Sequence, residues 1–324
     1  MCLERAREVT RGTVGAQPFL VTSRRRGTQA TIPLVGNRPA TFDILGDYNV
    51  LAPIARGGTA GVYLGEHSVS GERVAVKMLD PFHAGHADIV DRMFAERTVS
   101  LSVRHPNLLE VLHADRNALG LPYLVMEFLD GENLGDLAER GPVQLDAICA
   151  IATQIACALN ALHAVGYIHC DVKADNVFIL YQTTLGGWPR VKVIDYGVAR
   201  KVTDDSGDTT IAGTPAYMSP EHWRGTPSVQ SDVYSLGCLL YELVTGEHPF
   251  HGTLPQMMMG HCEAFAPRPS NLRSDVPADL ERLIMRAMAK DPGMRPSMIE
   301  MEVELAVCLR SLNGIADEDL HAAS

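Results

Sequence analysis

Between Tyr48 and Asp130 apolar residues recur in short alternating or continuous runs bounded by glycine, proline and serine, a pattern that suits β-strands better than helices. The runs are YNVLAPIA, GVYLGEHS, SGERVAVKMLD with its turn at Ser70-Gly71, NLLEVLHAD and PYLVMEFLD. The first three predict an antiparallel meander. One helical period, from about Asp88 to Ser102, interrupts the strands. From Leu134 onward longer helical periods take over, predicting helices at 134–140, 144–165, 229–245, 253–262, 277–289 and 294–311, separated by punctuation such as GEHPFHG. The expectation is an α+β chain in two lobes: a small antiparallel five-stranded one with one main helix at about 48–128, and a larger mainly helical one at about 132–308. No fixed-period repeat is visible, which excludes solenoids and propellers.

Residues 1–47, rich in Gly, Thr, Pro and Arg, show no sustained period and read as a flexible basic extension, and 309–324 as a C-terminal tail. The net charge of −11 is unevenly spread, since residues 1–47 carry seven arginines against four acidic residues. That balance argues against a chain whose main task is to grip nucleic acid. Within the extension, Arg24-Arg25-Arg26 reads either as part of a solvated tail or as an anionic docking site.

At 46% hydrophobic and 21% charged residues, the 324-residue chain has an ordinary globular composition. Its seven scattered cysteines form no Cys-x-x-Cys pair, so reduced thiols and a cytoplasmic location are expected. MCLERAREVTRG lacks the apolar core of a secretory signal. The stretch LDAICAIATQIACALNALHAVG is long enough to cross a membrane. It also carries Asp146, Gln154, Asn160 and His163 and leads straight into a polar loop, so a buried core helix and no membrane span are expected.

Chemistry enters with IARGGTAGVY, Ile54 to Tyr63, between the first two strands. A glycine-rich turn lets backbone amides approach phosphates, but an ordinary hairpin turn fits equally well. It is not a Walker loop or a dinucleotide fingerprint, because no Lys-Ser/Thr follows and a strand rather than a helix comes next. In VAVK, strand alternation gives Lys77 the face of Ala75. An ammonium turned inward needs a partner, for which Glu96 on the following helix is the candidate; an exposed lysine is the alternative.

These segments, with Glu96 ahead of RHPN, and with YLVMEFLDGENL, YIHCDVKADN, IDYG, GTPAYMSPE, SDVYSLG and DPGMRP, occur in the order and approximate spacing of the protein kinase family. From Tyr48 to Cys308 the chain most resembles the bacterial Ser/Thr kinases of eukaryotic type. The resemblance implies a bilobal protein-kinase-like fold and transfer of the γ-phosphoryl of ATP to Ser/Thr hydroxyls of protein substrates. It implies Asp171 as the base, Lys173 at the transferring phosphoryl and Lys77 at the α- and β-phosphates, paired with Glu96. Asn176 and Asp195 would hold Mg²⁺, or Mn²⁺ in its place.

Nucleotide contacts would come from Ile54, Ala55, Gly57, Gly58, Ala60 and Val62 of the loop. Val62 and Ala75 would lie above the adenine, Phe178 below it and Met126 behind it, with backbone groups near Glu127 and Leu129 on the base edge. Glu221 would pair with Arg295, and Asp232 would anchor the catalytic loop. Lys173 and Thr214 suit the Ser/Thr branch, and Thr203, Ser206, Thr209 and Thr210 are candidate autophosphorylation sites. A pseudokinase that binds nucleotide and regulates a partner is the alternative; the presence of all six chemical residues argues against it. A small-molecule phosphotransferase fits less well, because GTPAYMSPE builds a peptide platform.

Four departures stand out. Ala55 and Ala60 replace loop glycines, at about 1 kcal/mol each if positive φ is needed there, with weaker nucleotide binding as the result. Tyr196 replaces Phe conservatively. YQTTLGGWPR is longer than a tight hairpin and is expected to expose Trp188, as a docking element or a self-folded tip. Cys170 stands where an arginine usually senses a phosphorylated activation segment, so such phosphorylation is expected to matter less. Its thiol is either inert or, with Lys173 nearby, a redox switch.

Overall fold

The computed structural model describes residues 34–35, 38–39, 43–184, 186–202 and 212–314. Most of the basic extension, the four candidate autophosphorylation sites and residues 315–324 of the tail lie outside them. The smaller lobe is a twisted antiparallel sheet of β1 (Asp43–Leu45), β2 (Tyr48–Arg56), β3 (Ala60–His67), β4 (Arg73–Leu79), β5 (Val111–Arg116) and β6 (Pro122–Glu127), in the spatial order 1-2-3-4-6-5. The five expected strands are present, with one addition: Asp43–Leu45 pairs with Tyr48–Val50, so the sheet takes in residues up to five positions before Tyr48. Three residues around a tight turn are too few to give a periodic signal.

Both faces of this sheet carry buried apolar residues. Val74 and Val76 of β4 join Leu45, Val50, Tyr123 and Val125 in a small outer cluster. Ala75 and Leu79 turn the other way, into the main core with Val90, Met93 and Val99 of α1 (Ala87–Ser102). The period of two thus puts Lys77 on the side of α1, and the strand runs two residues past it.

The larger lobe is built around α3 (Leu145–Ala164), which buries twelve of its twenty residues. At about 1.5–3 kcal/mol for each fully buried large aliphatic side chain, this helix is a major source of the lobe's stability. It packs against α8 (Met298–Leu312), α5 (Val229–Thr245) and β10 (Pro189–Val193). Its surroundings are protein core, as expected of the apolar stretch.

Helix ends follow local chemistry. Ser228 and Ser231 form a capping box that opens α5, and Gly246 at φ 78° closes it. Ser297 and Glu300 form another at the start of α8, so this helix begins four residues later than expected, after the turn Pro292–Met294. α2 (Leu134–Glu139), α6 (Leu254–Glu263) and α7 (Ala278–Ala287) lie where the pattern predicts them. The one-turn helix α4 (Pro220–Trp223) carries too short a signal to predict.

Between the lobes, β7 (Gly131–Asn133), β9 (Val177–Thr183) and β10 form a three-stranded sheet, and β8 (Tyr167–Ile168) pairs with β11 (Arg200–Lys201). A Cβ on Gly131 would sit 2.0 Å from the Ile179 carbonyl oxygen, so β7 approaches β9 this closely only with glycine there. The loop joining β9 to β10 folds back with Thr184 N donating to Trp188 O at 2.6 Å, and the Trp188 ring packs partly buried against the main core. Trp188 is therefore a packing residue and not an exposed docking tip.

Candidate active site

The expected site residues gather in two clusters. In the upper one, Lys77 Nζ donates to Glu96 Oε1 at 2.6 Å and lies 3.5 Å from Asp195 Oδ1. Strand alternation aims the lysine at α1, and Glu96 is buried on the facing side of that helix. Burial would lower the Lys77 pKa, but the carboxylates of Glu96 and Asp195 more than offset it and hold the ammonium charged. Burial raises the Glu96 carboxyl to about 7, against the opposing pull of Lys77.

Asp195 follows β10 and has φ 66°, a left-handed conformation unusual for a residue with a Cβ. Gly197 N donates to its Oδ1 at 3.1 Å. Burial pushes its carboxyl up, but Lys77 and the Gly197 N–H outweigh that and leave it below the ordinary range. The Tyr196 hydroxyl donates to the carbonyls of Leu109 at 3.2 Å and Val193 at 3.4 Å, so the polar partner required by the Phe-to-Tyr departure is supplied by backbone.

The lower cluster centres on Asp171. Its Oδ1 accepts from Thr214 Oγ1 at 2.6 Å, and its Oδ2 lies 3.0 Å from Lys173 Nζ and 2.9 Å from Asn176 Nδ2. Lys173 also donates to Thr214 Oγ1 at 2.8 Å, closing the ring. Asn176 Nδ2 donates a second time, to Asp171 O at 2.9 Å, which turns its amide oxygen away from the aspartate. Thr214 was expected only to mark the Ser/Thr branch; its direct bond to Asp171 is a contact that motif order does not disclose.

Below the loop, Asp232 of α5 is fully buried and accepts from His163 Nε2 at 2.7 Å, His169 N at 2.8 Å and Cys170 N at 2.9 Å. It anchors the loop as expected, and His163 is the partner the sequence does not reveal. Glu221 and Arg295 form the expected buried pair, with two bonds of 2.6 and 2.9 Å, and Ser231 Oγ adds a third to Glu221 at 2.7 Å. At Gly213, φ is 138° and an added Cβ would meet the Cys170 carbonyl oxygen at 2.8 Å, so GTPAY can lie over the loop only with glycine there.

One expectation is corrected, and of the two readings of Cys170 the inert thiol is supported. Among the described residues only Cys170 and Asp195 are non-glycine positions with positive φ. Ala55 and Ala60 lie in ordinary strand conformation within β2 and β3, so they carry no left-handed strain and give no reason for weaker nucleotide binding. Cys170 is buried, and burial followed by the charge of Asp232 pushes its thiol well above the ordinary range. Lys173 is engaged with Asp171 and Thr214, so the conditions for a reactive thiolate are missing.

The residues expected around the nucleotide come from both lobes. Ala75 and Met126 are cross-strand neighbours in the main core, with Val62 and Leu129 packed on it half-buried. Ile54 and Ala55 are exposed at the end of β2, Gly57 and Gly58 are exposed on the turn that follows, and Ala60 is buried at the start of β3. Phe178 stands on β9 opposite Asn133 and Lys192. Glu127 ends β6 and opens the connection between lobes.

For a metal, the donors available are the Asp195 carboxylate and the Asn176 amide oxygen. No group of three or more His, Cys, Asp or Glu suited to a metal occurs among the described residues. One carboxylate and one amide oxygen fit a hard divalent ion shared with phosphate oxygens, and do not fit an all-protein cage.

Comparison with known proteins agrees with this geometry. A family model, the protein kinase domain, matches residues 48–304. The chain is 36% identical over 277 residues to the serine/threonine-protein kinase Pkn1 of Myxococcus xanthus, covering 84% of this chain and 38% of that protein. It is 41% identical over 247 residues to PkaA of Streptomyces coelicolor (74% and 44%), and 34% identical over 285 residues to PknB of Mycobacterium leprae (85% and 43%), both serine/threonine-protein kinases. The chain belongs to the protein kinase family. It spans about two fifths of the length of these curated relatives.

Proposed function

We propose that this chain is an active ATP-dependent protein serine/threonine kinase that transfers the γ-phosphoryl of ATP to Ser or Thr hydroxyls of protein substrates. The observation that carries the reading is the closed ring of Asp171, Lys173 and Thr214, with Asn176 bonded to the same aspartate, present together with the Lys77–Glu96–Asp195 group. A scaffold without catalysis has no physical need for both halves.

Phosphoryl transfer passes through a loose transition state, so positioning and charge neutralisation supply most of the catalysis. Lys77, fixed by Glu96, holds the α- and β-phosphates. Asp171 orients the acceptor hydroxyl and takes its proton. Lys173, already beside Asp171, neutralises the phosphoryl in flight, and Thr214 keeps the two in register. Asn176 and Asp195 hold Mg²⁺, or Mn²⁺ in its place, which when bound neutralises phosphate charge. Ala75, Val62, Met126 and Phe178 enclose the base, and backbone groups at Glu127 and Leu129 read its edge.

The substrates are proteins presented along GTPAYMSPE, and autophosphorylation at Thr203, Ser206, Thr209 or Thr210 belongs to the same proposal. The free thiols fit a reducing cytoplasm. The test is incubation with radiolabelled ATP, Mg²⁺ and a generic basic protein, beside Asp171→Asn. Transfer is expected from the wild type only; nucleotide binding by both proteins without transfer by either would leave a scaffold instead.

A further inference from the structure

Lys192 belongs to none of the motifs that carry the chemistry, yet its side chain is 13% exposed and ties three segments together. It stands on β10, the strand that leads into Asp195. Its Nζ donates to Glu127 Oε1 at 2.5 Å and to Leu108 O at 3.0 Å. The same Glu127 oxygen accepts from Glu110 N at 2.8 Å, while Glu127 N donates to Glu110 O at 3.0 Å. Strand alternation sends the Glu127 side chain to the face opposite Met126, away from the core that borders the base. Behind it, Lys192 and Glu110 line a cavity of about 310 Å³ together with Ser100, Arg104 and His105.

We propose that Lys192 is a positioning residue for nucleotide binding. It clamps Glu127 from the rear, so that the main chain from Glu127 to Leu129 is presented to the base edge at one fixed depth, without touching the nucleotide itself. Without Lys192, the Glu127 carboxylate, 29% exposed, would keep one N–H donor and no cation. Rotation outward to water would then be favoured, releasing Glu110 N and loosening the connection whose backbone meets the base. Because β10 also leads into Asp195, one ammonium fastens the base-reading segment to the metal-holding segment. The inference rests on the nucleotide-binding reading of the cleft given above.

Steady-state kinetics of the wild type, Lys192→Met and Lys192→Arg, varying ATP and then the acceptor protein, together with calorimetric ADP binding, test it. Lys192→Met is expected to raise KM for ATP and Kd for ADP together by about tenfold, leaving kcat within about twofold and KM for the acceptor unchanged. Lys192→Arg, which keeps the charge and a fork of donors, is expected to recover most of the loss. A fall in kcat at constant KM for ATP, or no change at all, overturns the proposal.

Should Lys192→Met not fold, Glu127→Gln serves instead. It keeps an oxygen for Glu110 N and Lys192 but drops the charge, and a rise of about threefold in KM for ATP is expected, with no rise counting against the clamp. A wild type that neither binds ADP nor transfers phosphate overturns the reading of the cleft and the clamp with it. An active wild type with an unaltered Lys192→Met overturns the clamp alone.

Discussion

The backbone N–H of Cys170 donates to Asp232 Oδ1 at 2.9 Å, and Cys170 has φ 65°. A side chain with a Cβ held in the left-handed region costs on the order of 1–3 kcal/mol, so something has to hold it there. The other oxygen of the same carboxylate takes the preceding N–H, from His169, at 2.8 Å. Two consecutive peptide groups are thus gripped by one buried side chain, immediately before the residue proposed as base. Burial would raise this carboxyl, but the bonds from His163 and His169 keep it below its ordinary range and therefore charged.

Removing the grip should be costly. Asp232→Ala strands two buried N–H groups and His163, and a loss of at least about 3 kcal/mol in urea unfolding is expected. Cys170→Gly relieves the conformational cost that the grip opposes. Asp232→Ala alone lets Cys170 relax and regain that cost, whereas on the glycine background there is none to regain, so the double variant should lose at least about 1 kcal/mol more than the sum of the single effects. Strict additivity would mean that the carboxylate does not hold the strained peptide.

The Cys170 thiol should be chemically silent in the folded protein. It is 3% exposed, and its burial disfavours the thiolate that alkylating agents and peroxide attack. Intact-mass measurement after iodoacetamide at pH 8 should find Cys170 unlabelled in the native protein and labelled in urea. Peroxide should inhibit wild type and Cys170→Ser equally; protection by the serine would instead make Cys170 a sensor.

Phosphorylation after Lys201 should matter less than in relatives that carry the arginine. A buried thiol offers a phosphate no charge-assisted bond, unlike the arginine often found at this position in the family. Thr209→Ala/Thr210→Ala, at positions outside the described residues, should keep kcat within about threefold of wild type, less than 1 kcal/mol in barrier. Loss of turnover with nucleotide affinity intact would refute this.

The parts legible in the sequence were those with a long period or a fixed motif order. α3 and α5 came out within a residue because each buries a wide apolar surface. The Lys77–Glu96 pair followed from strand alternation and the need of an inward charge for a partner. What escaped was short or non-local. β1 has three residues, and α4 has one turn. The Thr214–Asp171 bond spans 43 positions, and the Lys192–Glu127 bond spans 65. A single lysine in the alternating strand PRVKV looks like a solvated edge residue, and nothing in the local pattern announces that Glu127 waits behind the connection. The expected strain at Ala55 and Ala60 failed for a related reason: backbone dihedrals depend on how the loop closes, and motif alignment does not report them.

The Glu221–Arg295 pair sets a limit on acid stability. The carboxylate accepts two bonds from the guanidinium and one from Ser231, and its side chain is 11% exposed. Burial would raise the carboxyl, but these partners outweigh it and its pKa is lowered from 4.5. A carboxylate depressed in the folded state contributes stability that is fully present above its unfolded pKa and is lost as pH falls through the folded one. The contribution should therefore be constant near neutrality and fade below about pH 4.5. Urea unfolding from pH 7 to pH 3 should give a stability that falls on the acid side, with a shallower fall for Glu221→Gln, which has no proton to take up. At pH 7 that variant should already be less stable by about 3–5 kcal/mol, because it leaves the Arg295 charge buried and unpaired. Arg295→Met should lose a similar amount, with Glu221 now stranded and its carboxyl driven upward by burial, so this variant should become relatively more stable as the pH is lowered. An Arg295→Met protein whose acid limb matches that of wild type would show that the pair does not govern stability in this range.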